Sequence, residues 1–251
     1  TNTVYYKRED MQDIHSFKIR GALNMILQLD HNLKKIYTSS AGNHGQGVAM
    51  ACQALGKHAN IVMPFGTPEI KVENVRKYGA NIILYGESYD DAQEECQRLV
   101  EVNKGIFVPA FDHHQVIAGQ GTIGYEIWKK LNQVDRVFIP VGGGGLISGV
   151  ATYLKHKNPK IKIIGVETHD ACGMKTSMEK GEVISLPEVG LFADGTAVKK
   201  VGKQAFHLAN DLVDDIVLVN TDQLCLAIRD IYRDTRVIVE PSGDLALAGW
   251  R

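Results

Sequence analysis

The sequence contains few cysteines and almost no excess charge, and each shortage argues against a class of function. Only four of its 251 residues are cysteines, and none has the spacing of a disulfide framework or a zinc site, which predicts free thiols in a reducing, cytoplasmic setting. The formal net charge of −1, without basic runs, argues against a nucleic-acid partner. No apolar run is long enough to span a membrane. We therefore expect a globular protein whose partner is a small molecule.

Short β-branched runs alternate with amphipathic stretches along most of the chain. This alternation is typical of parallel strands joined by crossover helices, so it predicts an α/β fold with parallel-rich sheets flanked by helices. The predicted strands are Lys35–Thr38, Ala59–Met63, Asn81–Tyr85, Ile106–Pro109, Arg136–Val141, Lys162–Glu167 and Asp215–Val219. The predicted helices are Ser16–Leu29, His44–Leu55, Ile70–Tyr78, Tyr89–Val102, Gln115–Leu131, Gly145–His156, Lys199–Ala209 and Asp222–Arg233.

Four consecutive glycines, Gly142 to Gly145, lie between a predicted strand and a predicted helix. Glycine costs conformational entropy in regular structure, so four in a row indicate a backbone that a ligand approaches closely. The unpaired N–H groups at the start of the helix would face that ligand, which favours an anion such as a phosphate. No Gly-Lys-Ser/Thr follows, which argues against a nucleoside triphosphate loop. A tight turn beside a packed strand is the alternative.

A second loop, residues 38–47 with the sequence TSSAGNHGQG, also lies between a predicted strand and a predicted helix. Its small residues, hydroxyl groups and helix-terminal N–H groups suit a carboxylate, and the Asn43 amide offers both a donor and an acceptor. Asparagine and glycine are also ordinary loop residues, and Ser40 can be a helix cap.

Lys18 stands beside the aromatic ring of Phe17 at the start of a predicted helix. A desolvated lysine has a lowered pKa and becomes a usable nucleophile and base, whereas most lysines on helices are solvated surface charges. Its occurrence with two anion-binding loops points to an aldehyde cofactor with a phosphate tail and an amino-acid substrate.

Several ordered segments together resemble the fold-type II pyridoxal-phosphate enzymes, and within them the biosynthetic threonine dehydratases. The likeness extends over nearly the whole chain, and relatives of the serine racemase type are more distant. The segments are Ser16–Ala22, Ser40–Gly47, Val116–Thr122, Val141–Leu146, Gly190–Gly195 and Glu240–Gly243.

The resemblance implies roles around the cofactor, pyridoxal 5'-phosphate. Lys18 would be the catalytic residue and bond covalently to the cofactor, while Phe17 would pack against the ring and Asn43 would hydrogen-bond the ring hydroxyl. Glu240 would face the cofactor. The phosphate would rest on Gly142, Gly143, Gly144, Gly145 and Leu146.

The resemblance also implies a substrate site and a reaction. The substrate carboxylate would bind at Ser40, Ala41, Gly42, Asn43 and His44. The expected reaction is β-elimination from L-threonine, or from L-serine, to give 2-oxobutanoate or pyruvate and ammonia, as the first step of isoleucine biosynthesis. Relatives that racemise serine carry a second serine where this chain has Ala41, and alanine cannot move a proton, so elimination is favoured over racemisation.

The racemases also bind a divalent ion through a glutamate, a carbonyl and an aspartate. Glu167 and Ala171 match the first two, but Gly173 replaces the aspartate, so no metal is expected there.

The implied architecture has two lobes. Residues 35–112 would form a small lobe with the asparagine loop, and residues 1–34 and 113–251 a large lobe with Lys18 and the glycine loop. The C-terminal regulatory domain of many biosynthetic dehydratases is absent from this sequence, and a homo-oligomer, a dimer or a tetramer, is expected.

Three alternatives stay open at this point. The chain is an inactive truncated fragment that binds the cofactor, a serine racemase, or a nicotinamide-dependent oxidoreductase domain. The last is suggested by Glu167, about 20 residues after the glycine loop, although Ser148 stands where a third glycine belongs.

Overall fold

The computed structural model describes residues 2–251, which divide into two compact units that join in the chain between Ala110 and Phe111. The predicted α/β class with parallel sheets is confirmed, because every ladder between named strands in the described residues is parallel. Within residues 2–251, no helix is long and apolar enough to cross a membrane.

The first unit is built on a four-stranded sheet in the order β3-β2-β1-β4. Its core contains Ile36, Ile61 and Met63, which are fully buried because strands covered by crossover helices need apolar side chains. The strands are β1 Lys35–Ser39, β2 His58–Met63, β3 Asn81–Leu84 and β4 Ile106–Phe107. The helices are α1 Lys18–Leu27, α2 Asn43–Ala54, α3 Glu69–Arg76 and α4 Tyr89–Asn103, with a short 3-10 turn at Glu9–Met11.

The second unit is built on a three-stranded sheet in the order β5-β6-β7. One hydrophobic cluster joins its sheet to its last two helices through Val166, Leu224 and Leu245. The strands are β5 Arg136–Pro140, β6 Lys162–Thr168 and β7 Asp215–Val219. The helices are α5 His114–Lys130, α6 Gly145–Lys157, α7 Gly173–Lys180, α8 Lys203–Leu212, α9 Thr221–Thr235 and α10 Pro241–Trp250, with a short 3-10 turn at Asp194–Thr196.

Two helices, α7 and α10, were not predicted from the sequence. Helix α10 is apolar on most of its surface, and its buried members include Leu245, Leu247 and Ala248, so it lacks the helical alternation that marks a half-exposed helix. Helix α7 has only eight residues, too few for a clear period.

Residues 1–34 group with the first unit, together with the asparagine loop. Within that unit α2 packs closely on α1: a Cβ on Gly47 would lie 3.1 Å from the Lys18 carbonyl carbon. The expected lobes group residues 1–34 with residues 113–251, which differs from the division into these two units. The lobes stay a prediction.

Candidate functional site

The glycine loop joins β5 to α6 at the carboxyl end of a parallel strand in the second unit. Gly144 has a φ of 93°, in the left-handed region, and is the N-cap of α6. This backbone conformation is strained for any residue with a side chain, which explains a glycine at that position. The first turn of a helix exposes N–H groups that have no partner inside the helix and carries the positive end of the dipole. The loop therefore has the form of an anion site made of main chain.

The loop is packed tightly against two other segments of the second unit. A Cβ on Gly145 would lie 2.7 Å from the Phe111 carbonyl oxygen, and one on Gly143 would enter the Phe111 ring. A Cβ on Gly142 would lie 3.0 Å from the Cα of Thr196. The glycines thus allow close packing as well as close approach of a ligand.

The C-terminal motif lies next to this loop. The Cβ position of Gly195 is 2.8 Å from Ser242 Oγ and 3.1 Å from Glu240 Oε1. Gly195 directly precedes Thr196, the residue that backs Gly142, so Glu240 belongs to the surroundings of the loop. Ser242 Oγ is buried and has no hydrogen-bond partner. A buried hydroxyl without a partner is costly, so this position suits a polar ligand.

Asp244, one turn after Glu240, is a buried acid that the sequence did not single out. Its exposed fraction is 0 % and neither carboxyl oxygen has a hydrogen-bond partner. Burial, and then the charge of Glu240, raise the pKa of Asp244 to about 7. An aspartate in an unfolded chain has a pKa of about 4, so folding takes up a proton between these two values. This carboxyl therefore makes the free energy of unfolding fall as the pH rises from about 4 to about 7.

Replacing Asp244 by asparagine is expected to remove this loss. Between about pH 5 and about pH 8 the variant should gain about 1–3 kcal/mol in free energy of unfolding relative to the original chain. Burial also raises the pKa of Glu167 to about 7, so the informative quantity is the difference between the two chains at each pH. Urea denaturation at several pH values measures it.

Asp214→Asn is the control for this experiment. Hydrogen bonds from Lys155, Lys162 and the N–H of Ile163 outweigh partial burial and lower the pKa of Asp214 to about 2. Its contribution is therefore lost only when the pH falls below about 4, and the variant should not change the slope at higher pH. Parallel stability curves for Asp244→Asn and the original chain would contradict the assignment.

Lys18 lies at the start of α1 in the first unit. Its Nζ donates a hydrogen bond of 3.1 Å to the carbonyl oxygen of Ala110 and lies 5.3 Å from the centre of the Phe17 ring. Phe17 is the N-cap of α1 and Lys18 is its first residue, so the ring and the amine both lie at the start of this helix. The lysine is half-buried and its Nζ is within reach of a backbone acceptor, which suits an amine that takes part in chemistry.

The asparagine loop leads from β1 into α2. The N–H of Gly42 donates to Ser40 Oγ at 3.2 Å, and Gly42 is the N-cap of α2. A Cβ on Gly45 would lie 2.6 Å from the Ser40 carbonyl oxygen, so this turn requires a residue without a side chain. Asn43 and Ala41 are half-buried. The start of α2 therefore offers main-chain donors to a carboxylate.

The ring of His44 is already engaged by the protein. Its Nε2 lies 2.9 Å from the Val108 carbonyl oxygen, which can only accept, so Nε2 carries the proton. Burial, and then the charge of Lys18, lower the pKa of His44 to about 3. His44 is thus neutral, and what it offers to a substrate is its main-chain N–H in the first turn of α2.

Glu167 serves as a helix cap in this structure. Its carboxylate accepts hydrogen bonds of 2.8 Å from the N–H of Met174 and 2.9 Å from the N–H of Lys175, at the start of α7. The expectation that no divalent ion binds tightly at Glu167 stays a prediction. The structure also brings in residues to which the sequence gave no role, namely Ala110, Phe111, Thr196, Ser242 and Asp244.

The comparison with known proteins decides the family. The family model described as pyridoxal-phosphate dependent enzyme matches residues 1–251. The chain belongs to this family. Its predicted cofactor is confirmed with it, and the nicotinamide-dependent alternative is wrong.

Three relatives illustrate where the chain stands in the family. It is 49% identical to the mitochondrial threonine dehydratase of Saccharomyces cerevisiae over 99% of its own length, but spans only 44% of that protein. The solved structure of processed threonine deaminase isoform 2 from Solanum lycopersicum has a TM-score of 0.95 at 48% identity, covering 97% of this chain and 71% of that one. Maize serine racemase has a TM-score of 0.93 at 36% identity, covering 96% of this chain and 74% of the other. The predicted resemblance to fold-type II enzymes, with racemases more distant, is confirmed.

The residues present fit the family's cofactor. The main-chain loop in the second unit suits the phosphate, since its donors need no counter-ion to meet a group with up to about two negative charges. The unpartnered Ser242 hydroxyl, 2.8 Å from the Cβ position of Gly195, offers a hydrogen-bonding group to a polar ligand, and Lys18 supplies an amine for the aldehyde.

Proposed function

We propose that this chain carries the activity of a threonine ammonia-lyase, which converts L-threonine to 2-oxobutanoate and ammonia in the first step of isoleucine biosynthesis. The observation that carries the proposal is the similarity to threonine dehydratases over nearly the whole chain. L-Serine, giving pyruvate, is the second candidate substrate, because one methyl group changes binding by only about 1–3 kcal/mol.

The cofactor would be held by the residues that the sequence singled out for it. Lys18 would hold the cofactor covalently, Phe17 would pack on its ring, and Asn43 would hydrogen-bond the ring hydroxyl. Gly142 to Gly145 with Leu146 would bind the phosphate, and Glu240 would face the cofactor. When bound, pyridoxal phosphate supplies an electron sink for the charge that develops at the substrate Cα.

The protein's own side chains then have two tasks. The start of α2, from Ser40 to His44, binds and orients the substrate carboxylate through main-chain donors. Lys18 Nζ takes the proton from the substrate Cα as general base. The neutral His44 adds no positive charge of its own to this site, because its pKa is about 3.

The proposal is tested by product analysis. The full chain, incubated with pyridoxal phosphate, should release ammonia and 2-oxobutanoate from L-threonine and nothing from D-threonine. Binding of the cofactor without release of ammonia from L-threonine or L-serine would instead select the inactive fragment.

A serine racemase is the second candidate function, supported by the similarity to the maize enzyme. Ala41 argues against racemase activity, and replacing Ala41 by serine tests this argument. Ala41→Ser restores a hydroxyl that can carry a proton, so it should raise the ratio of D-serine formation to elimination by at least about tenfold. Chiral chromatography of the products measures this ratio. Ala41→Gly, which adds no hydroxyl, is the control, and an equal ratio in both variants would refute the role given to position 41.

The location and the assembly of the protein are part of the same proposal. We infer a homo-oligomer, a dimer or a tetramer, acting on a small amino acid. A cytoplasmic location rests on the unpaired cysteines, and the yeast relative is named as mitochondrial. Fractionation of the source cells and light scattering of the purified chain test these two points.

A further inference from the structure

The glycine loop is held by a segment whose residues have no part in the proposed chemistry. Phe111 and Asp112 open the second unit, and the Phe111 ring lies against the Cα of Gly143. The next residue, Asp112, contacts a helix that lies far away in the sequence. This pair of contacts links the back of the loop to α8.

Asp112 caps α8 from a distance of 91 positions in the chain. Its carboxylate accepts hydrogen bonds from three successive N–H groups, those of Lys203 at 2.8 Å, Gln204 at 2.9 Å and Ala205 at 3.1 Å. The N-cap residue of α8 is Gly202, which has no side chain with which to cap the helix itself. The position of the first turn of α8 therefore depends on Asp112.

The first turn of α8 in turn holds the glycine loop. The N–H of Gly202 donates a 3.0 Å hydrogen bond to the carbonyl oxygen of Gly143. The carbonyl oxygen of Ala205 accepts a 2.8 Å hydrogen bond from Ser148 Oγ, one turn into α6. In a planar trans peptide the C=O and the following N–H point in opposite directions. Fixing the Gly143 carbonyl on α8 therefore aims the N–H of Gly144 away from α8.

We propose that Asp112 is a positioning residue for phosphate binding, which acts by fixing α8 and, through Gly202, the peptide between Gly143 and Gly144. The inference rests on the proposed cofactor site. Asp112 would thereby favour phosphate binding although it is negatively charged. Its carboxylate is engaged by the N–H groups of α8, and it would act on the phosphate only through the backbone of the glycine loop. A direct effect of the charge would have the opposite sign, because a carboxylate repels a phosphate.

The test compares pyridoxal phosphate with pyridoxal, which has the aldehyde and the ring but no phosphate. Dissociation constants of both are measured by absorbance for the full chain and for Asp112→Ala and Asp112→Asn. Asp112→Ala should raise the dissociation constant of pyridoxal phosphate by about ten- to a hundredfold and that of pyridoxal by less than about twofold. Asp112→Asn retains an acceptor oxygen and should recover part of the affinity.

The matched control is Asn220→Ala, which removes the cap of another helix in the same unit. The Asn220 side chain accepts from the N–H of Gln223 at 2.9 Å at the start of α9. This variant should lower the melting temperature by about as much as Asp112→Ala does and keep both dissociation constants. If Asp112→Ala does not fold, Asp112→Asn carries the same comparison.

Each remaining outcome would overturn the inference. A positioning role would be excluded if the Asp112 variants bound both ligands more weakly by the same factor. It would also be excluded if they had the same affinities as Asn220→Ala, or if they bound pyridoxal phosphate more tightly than the original chain. An original chain that binds pyridoxal phosphate no better than pyridoxal would refute the proposed phosphate site itself, so the two failures are distinguishable.

Discussion

Lys18→Ala is expected to lower the turnover of L-threonine by more than about a thousandfold, because it removes both the nucleophile and the general base. The half-buried Nζ contacts the Ala110 carbonyl oxygen in the described structure. Borohydride should fix the cofactor to the original chain, seen as a mass increase of the peptide that contains residue 18. The variant should show neither turnover nor this mass increase.

Lys57→Ala is a suitable control, because Lys57 is also held by backbone carbonyls. Its Nζ donates to Asp30 at 3.0 Å and to Leu33 at 2.6 Å, and it is more deeply buried than Lys18. This variant should lose stability and, where folded, keep turnover and labelling. Full activity in Lys18→Ala, or labelling that moves to another lysine without loss of rate, would contradict the role of Lys18.

Gly149→Ala is expected to lower the free energy of unfolding by about 2–4 kcal/mol. Gly149 lies where α6 crosses α5, and a Cβ there would lie 2.7 Å from the N atom of Gly121 and closer still to the carbonyl oxygen of Ile117. Both are backbone atoms of a helix and cannot move aside singly. The two helices would have to separate, and α6 carries the glycine loop at its start, so cofactor affinity should fall as well.

Gly243→Ala is the control for this substitution. Gly243 lies in α10, and its nearest neighbours, on Val239, are 3.5 Å and 3.7 Å from the Cβ position, an ordinary contact. Alanine in a helix is favoured over glycine, so this variant should be unchanged or more stable by up to about 1 kcal/mol. Urea denaturation compares the two, and similar losses would mean that the helix contact is not the cause.

Several parts of the molecule follow from local sequence patterns. The alternation of apolar runs and amphipathic stretches predicted each strand to within two residues at either end, since parallel strands and half-buried helices have characteristic periods. The glycine run predicted a strand, a tight loop and a helix start, and Gly145 is indeed the first residue of α6. Lys18 was singled out by its neighbours and by the resemblance, and its role is still a proposal.

Local sequence patterns could not predict the surroundings of two polar side chains, His44 and Asp244. The sequence marks His44 as a substrate contact, yet its ring is bonded to Val108, 64 positions away. Asp244 reads as a polar residue in an apolar helix, and only the packing of α10 shows that it is buried without a partner.

The sequence by itself determined the strands, most of the helices, the main-chain loops and the family of this protein. The tertiary structure decided which residues support those loops, as Asp112 does for the start of α8. The physical reason is the separation along the chain over which each kind of interaction acts. Periodicity, capping and turn preferences act between residues a few positions apart, whereas the packing that places a carboxylate on a helix 91 positions away depends on how all the elements between them fold.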